Sequence, residues 1–114
     1  MKYIKTFESK GIDLFNAIIK DDIKRVKYLI RLNADINIQD MEGRTPLFYA
    51  ANHDFMPIIY ILIEAGADWN IKNNKGYDFT YLLSDKQRKH IIDKYPNEYY
   101  EYELKKEATT KYNL

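Results

Sequence analysis

Ala34-Asp35-Ile36-Asn37 returns as Ala67-Asp68-Trp69-Asn70, an offset of 33 residues. The same offset pairs Leu14 with Leu47, Ala17 with Ala50, Val26 with Ile59, Leu29 with Leu62 and Ile30 with Ile63. It runs on into a third copy through Asp40 and Asn73, Gly43 and Gly76, Ile59 and Ile92. A fixed period of this size marks a stacked-repeat protein, in which one unit cannot bury its apolar face alone and neighbours bury it together. Such stacks usually work as binding surfaces, so the sequence speaks to the kind of task and says little about the partner.

The central copy reads Asp40-Met41-Glu42-Gly43-Arg44-Thr45-Pro46-Leu47-Phe48-Tyr49-Ala50-Ala51 and ends at Gly66-Ala67-Asp68-Trp69-Asn70. Asp40 to Gly43 is a tight turn, with Gly43 free to take positive φ. Thr45 is an N-cap, and Pro46 sits at the first helical position, where its missing N–H costs nothing. Leu47, Ala50 and Ala51 form a partly small stripe that lets another helix approach closely. Asp54 is expected to cap the next helix, with Pro57 tolerated in its first turn. Ile58, Ile59, Leu62 and Ile63 make that helix's buried face, and Gly66 ends it in the left-handed conformation.

Helix, short turn, antiparallel helix and projecting loop, carried by Gly43, Thr45-Pro46-Leu47, Ala50-Ala51, Leu62 and Gly66-Ala67-Asp68-x-Asn70, resemble the ankyrin repeat family. The resemblance implies an all-α solenoid of about three helix-turn-helix repeats. It departs from the family pattern where Phe48 replaces the usual histidine and where Asp21 and Asp54 stand in place of the glycine between paired helices. One full repeat lies between two degenerate capping copies, as expected where one side faces water. In the first copy Asp22 caps the second helix and Asn33 replaces the terminal glycine. In the third, Asp78 is a cap, Leu82 and Leu83 form the stripe, and Ser84 with Gln87 is a capping box.

This reading divides the chain into an N-terminal arm or short helix (1–11), a repeat domain (12–95, with repeats near 12–39, 40–72 and 73–95) and a tyrosine-rich charged tail (96–114). Helices are expected near 13–20, 22–32, 46–52, 55–65, 78–83 and 85–94, with a tail helix near 97–108 capped by Asn97. The expected core is Leu14, Ala17, Val26, Leu29, Ile30, Leu47, Ala50, Ile59, Leu62, Ile63, Leu83 and Ile92.

A length of 114 residues bounds the chain at one domain. The net charge of +1 gives no global field for nucleic acid or membrane. Residues 40–68 are acidic between two mildly basic flanks, a patchy surface and not a nucleic-acid stripe. There is no cysteine, which removes disulfides and thiolate metal sites and suits a reducing compartment. No apolar run approaches a membrane span, and the first residues lack a secretory apolar region. A cytoplasmic protein is expected, in host cytoplasm if viral. Abundant Ile, Lys, Asn and Tyr hint at an AT-rich genome such as a phage, a large DNA virus or a low-GC bacterium.

No cofactor, metal or catalytic residue is expected. His53 and His90 have no ligand partner at metal spacing. Ser84 is explained as a cap, and no glycine-rich phosphate loop exists. Binding to another protein is the expected activity, as an adaptor or stoichiometric inhibitor aimed at a host protein if the source is viral. The resemblance places that binding on the concave face made by loop tips and first helices. By position this face holds Gln39, Met41, Glu42, Arg44, Asn52 and His53, and one repeat later Lys72, Asn74, Lys75, Tyr77, Asp85 and Lys86. A monomer or weak homodimer is expected, without nucleic acid or membrane.

The alternative is a self-assembling or virion-associated structural component, because three repeats barely suffice for a stack. The tail tyrosines Tyr99, Tyr100 and Tyr102 are then a possible interface, and Met1 to Glu8 loosely resemble the leader of capsid-packaged phage proteins. Trp69 is either a packing residue or an exposed anchor. Asn37 and Asn70 occupy the position that asparaginyl hydroxylases modify in resembling repeats; the simpler reading is that they brace the loop through side-chain-to-backbone bonds.

Overall fold

The computed structural model describes residues 7–112. Its elements are α1 (Phe7–Ile19), α2 (Ile23–Arg31), α3 (Pro46–Asn52), α4 (Met56–Glu64), a 3-10 turn (Phe79–Leu82), α5 (Asp85–Lys94) and α6 (Pro96–Tyr112). The described residues form helices stacked in antiparallel pairs, an all-α solenoid. α1 packs on α2 and α3, α2 on α4, α3 on α4 and the 3-10 turn, and α5 on α6.

The period is written in the backbone bonds. At the end of α2 the Ala34 amide donates to Leu29 O (3.0 Å) and the Asn33 amide to Ile30 O (2.9 Å). At the end of α4 the Ala67 amide donates to Leu62 O (3.0 Å) and the Gly66 amide to Ile63 O (2.9 Å). These paired bonds close a helix through one left-handed residue. That residue is Gly66 at φ +92 in one copy and Asn33 at φ +63 in the other. The turns between paired helices do the same with Asp21 at φ +54 and Asp54 at φ +58, the two positions where aspartate stands for glycine. The loops repeat too. Asp40 Oδ1 accepts from the Glu42 and Arg44 amides at 2.9 Å each, and Asn73 Oδ1 from the Lys75 and Tyr77 amides at 3.0 Å each.

Most helix ends follow the sequence. Thr45 accepts from the Phe48 amide, Asp22 from Arg25, Asp78 from Thr80, and Ser84 with Gln87 closes a full capping box. Two caps fall elsewhere. Asp54 does not cap α4: its positive φ uses it up in the turn, Phe55 takes the cap position without a side-chain bond, and Asp54 accepts from the Gln87 side chain instead. Asn97 lies inside α6, because Pro96 opens that helix directly after Tyr95 ends α5. α1 begins at Phe7, so the described part of the expected arm is continuous with the first repeat. The expectation about Met1 to Glu8 falls largely outside the described residues. The third copy's first helix shrinks to the 3-10 turn, where Phe79 and Leu83 are buried while Leu82 faces out.

The core joins Leu14, Ala17, Val26, Leu29, Leu47, Ala50, Ile59, Leu62, Ile63 and Leu83, as the period requires. Ile30 is only partly buried, and Ile92 yields its inner place to Ile91. Ile18, Phe48, Ile58 and Phe79 complete the centre. At the far end, α6 covers the third copy. Trp69 is a packing residue: its ring meets Phe79 edge-on at 5.6 Å and lies 5.6 Å from Tyr102. Tyr102 is buried, and its hydroxyl donates to Asp78 Oδ2 at 2.8 Å and pairs with Thr80 Oγ1 at 3.1 Å. Asn70 Nδ2 ties the last projecting loop to Tyr102 O at 3.1 Å. Of the three tail tyrosines offered as an interface, Tyr102 is thus turned inward, Tyr99 is half-buried against Trp69, and Tyr100 stands exposed.

Candidate protein-binding groove

The concave side is built from α1, the exposed flank of α3, and the two projecting loops. Tyr49 and Asn52 of α3 and its C-cap His53 face the next loop. The result is a groove of about 670 Å³ bounded by Ile19, Arg44, Phe48, Tyr49, Asn52, His53, Asn73, Lys75, Tyr77, Tyr81 and Leu82.

Tyr49 anchors one wall. Its ring stacks on Phe15 at 4.4 Å, and its hydroxyl donates to Asp40 Oδ2 at 2.7 Å. Burial, then that carboxylate, holds the Tyr49 hydroxyl proton more tightly than in free tyrosine. Arg44 Nε lies 2.8 Å from the same Asp40 oxygen and the guanidinium rests 5.3 Å over the Tyr49 ring, with Glu42 at 3.6 Å. Burial alone raises the Asp40 carboxyl, but hydrogen bonds from Tyr49 and Arg44 outweigh it and hold the group below the ordinary carboxylate range. His53 Nδ1 sits 2.8 Å from Tyr49 O; a carbonyl only accepts, so this nitrogen carries the proton. The ring stacks on Phe55 at 5.3 Å. On the opposite wall Tyr77 and Tyr81 stack at 4.1 Å with their planes 16° apart.

Of the expected concave-face residues, the groove gathers Arg44, Asn52, His53, Lys75 and Tyr77. Gln39 and Asn74 lie at its loop edge, holding the loops together: Gln39 Nε2 donates to Gly43 O (3.0 Å) and Lys72 O (3.2 Å), and Asn74 Nδ2 to Met41 O (2.9 Å). Met41 projects from the loop tip at 97% exposure, with Glu42 beside it. Lys72 lines an adjoining hollow. Asp85 and Lys86 do not line the groove. The 33-residue offset places them opposite Asn52 and His53, but the shortened third copy puts both at the start of α5. Ile19, Phe48, Tyr49, Asn73, Tyr81 and Leu82 also line the groove and lie outside the set expected from the sequence. The period contains part of the signal for them, since Leu82 is the repeat equivalent of Tyr49 and Tyr81 that of Phe48. Among the described residues, no group of three or more His, Asp or Glu side chains is placed to hold a metal. No described helix is long and apolar enough to cross a membrane.

Residues 14–92 match the model of ankyrin repeats as three copies. The chain belongs to the ankyrin repeat family. It is similar to human transient receptor potential cation channel subfamily A member 1, at 39% identity over 69 residues, covering 60% of this chain and 6% of the channel. Human protein phosphatase 1 regulatory subunit 27 matches at 32% over 80 residues, 70% of this chain and 51% of that protein. A putative ankyrin repeat protein of fowlpox virus matches at 30% over 95 residues, 74% of this chain and 22% of the viral protein. This ankyrin repeat protein therefore spans at most about half of the length of these curated relatives. Viral, human and rickettsial proteins all match, so the similarity selects no single origin. Ankyrin repeats generally mediate protein–protein interaction and are typically non-catalytic.

Proposed function

We propose that this ankyrin repeat protein acts by stoichiometric binding of another protein, as an adaptor or inhibitor, through its concave groove. The observation that carries this reading is the make-up of the groove. It brings Arg44, Lys75, His53 and the tyrosines Tyr49, Tyr77 and Tyr81 to one open surface. Tyrosine and arginine are the residues that anchor interfaces, giving large contact area at low entropy cost. The outer wall carries less: on α2 one exposed tyrosine, Tyr28, lies 5.7 Å under the Arg25 guanidinium among exposed Lys24, Lys27 and Arg31, a basic helix face with a single aromatic where the groove gathers three. The phosphatase regulatory subunit among the relatives is by its name a regulator of another protein, the kind of role proposed.

The test is capture of partners from native cells with the tagged chain, its Tyr77→Ala variant and its Lys24→Glu/Lys27→Glu variant. A partner retained by the outer-wall variant and lost from the groove variant supports the reading. A partner lost from the outer-wall variant and kept by the groove variant sinks it.

A further inference from the structure

Beside the groove lies a second hollow of about 420 Å³, and the two share Tyr77 and Tyr81. The stacked ring pair is therefore a ridge between two depressions. Cations stand on both sides of it. Arg44 and Lys75 line the groove, and Lys72, Arg88 and Lys106 line the second hollow. No carboxylate lines the groove. Asp78 is the carboxylate lining the second hollow, and it is engaged by the Tyr102 hydroxyl and by Thr80. Arg44 faces Asp40 and Glu42, and Lys106 lies 3.6 Å from Glu103. Lys72 and Lys75, both exposed, enter no ion pair among the described residues. A chain with net charge +1 has thus concentrated positive charge around one aromatic ridge. The sequence hides this, because the cations come from two projecting loops, α5 and α6.

The ridge also carries apolar surface. Tyr81 is 59% exposed, Tyr77 43%, Leu82 37% and Ile19 47%. We infer that it docks a short acidic segment of a partner protein, with an apolar side chain set against Tyr77, Tyr81 and Leu82 and flanking carboxylates meeting Lys75 and Lys72. The inference rests on the groove being a protein-binding surface and adds the chemistry of the partner. Single-stranded nucleic acid would meet the same charge, but it has no side chain for Ile19 and Leu82, and the mutual stacking of Tyr77 and Tyr81 takes up ring faces that bases would need. A segment that mixes carboxylates with an apolar residue satisfies both halves of the surface. Exposed cations of this kind act chiefly on encounter rate and salt dependence, while the apolar anchor sets the lifetime.

The probe is a displayed library of random twelve-residue peptides, selected on the full chain, on its Lys72→Glu/Lys75→Glu variant and on its Lys24→Glu/Lys27→Glu variant. The expected result is enrichment, on the wild-type and outer-wall chains alike, of net-negative peptides carrying a large apolar residue. The best of these should bind the Lys72→Glu/Lys75→Glu chain weaker by about tenfold or more and lose affinity as salt is raised. Unchanged circular dichroism of the variants confirms that they fold. Enrichment of neutral or basic peptides, no enrichment, or acidic enrichment that survives the double reversal overturns the inference. So does a twelve-nucleotide single-stranded RNA that binds tighter than the best peptide. Peptides that ignore the charge reversals but are lost from Tyr77→Ala overturn the acidic inference while leaving the groove reading in place. Peptides lost only from the outer-wall variant remove both.

Discussion

The backbone amide of Asp68 donates to Asn37 Oδ1 at 2.9 Å, so an asparagine of one projecting loop satisfies the loop of the next repeat. Both residues are part-buried, and the bond spans 31 positions of sequence. Asn37→Ala would leave the Asp68 N–H without this partner, at a cost of about 1–3 kcal/mol for a buried unsatisfied donor. Urea denaturation should show a lower midpoint with an unchanged slope. An unchanged midpoint would mean that water takes over the bond freely.

Leu62 is fully buried on α4, the helix packed against both α2 and α3. Leu62→Ala should cost about 2–5 kcal/mol through lost burial and the cavity left behind. That is a large share of the stability of a domain this size, so loss of helical circular dichroism near room temperature is the expected readout. Leu104→Ala on exposed α6 surface is the control, and it should change the midpoint little.

How far the sequence reaches can be judged at particular residues. Thr45-Pro46 and Ser84-to-Gln87 announce their helix starts by local chemistry alone, and both form as read. Asp54 misleads because aspartate suits a cap and a left-handed turn equally, and only the neighbouring Phe55 bond to Ala50 O decides between them. Asp85 and Lys86 show the limit of a period: it transmits position along the chain, but a helix shortened to one 3-10 turn breaks the spatial equivalence. In the groove, Arg44, Lys75 and Tyr77 follow from loop position. The basic hollow behind Tyr81 requires knowing that α6 folds back over the third copy, a long-range fact that no local pattern carries.

Gly43 takes φ +81 at the tip of the first projecting loop. A Cβ there would lie 2.8 Å from the Asn74 backbone nitrogen and 3.0 Å from Asn73 Cα. Gly43→Ala therefore combines left-handed strain, about 1–2 kcal/mol for an L-residue, with displacement of the neighbouring loop. Thermal melting should show the loss. Gly76 has φ +88 with nothing within 4 Å of its added Cβ, so Gly76→Ala should carry the strain alone and melt higher than Gly43→Ala.

Tyr102 couples α6 to the third repeat and makes the fold sensitive to alkali. Burial, reinforced by the Asp78 carboxylate and opposed by the Thr80 bond, holds its hydroxyl proton above the ordinary pKa of 10.0. A group whose folded pKa is raised contributes its stability fully below the unfolded value and loses it as pH climbs through the folded one. Stability should hold up to about pH 10 and fall above it. Trp69, the single tryptophan and a neighbour of Tyr102, reports this through its fluorescence. Tyr102→Phe should cost about 0.5–1.5 kcal/mol at neutral pH and flatten the alkaline decline. The residual slope would come from Tyr49, Tyr95 and Tyr99, whose hydroxyls are raised in the same direction.

Function and stability separate most cleanly at Tyr77. Arg44 is a poor probe, because its guanidinium braces Asp40 and covers Tyr49, so its removal disturbs the loop as well as the surface. Tyr77 is 43% exposed, its ring stacks on Tyr81, itself exposed, and its bonds to Asn73 are made by the backbone that an alanine keeps. Tyr77→Ala should therefore leave the melting temperature nearly unchanged while weakening a groove-bound partner by about 1–3 kcal/mol, the loss of one aromatic anchor. Calorimetric titration of that partner against both chains makes the comparison, and Lys24→Glu should match wild type in the same cell. If Tyr77→Ala binds as wild type does while Lys24→Glu fails, binding lies on the outer wall and the concave assignment falls.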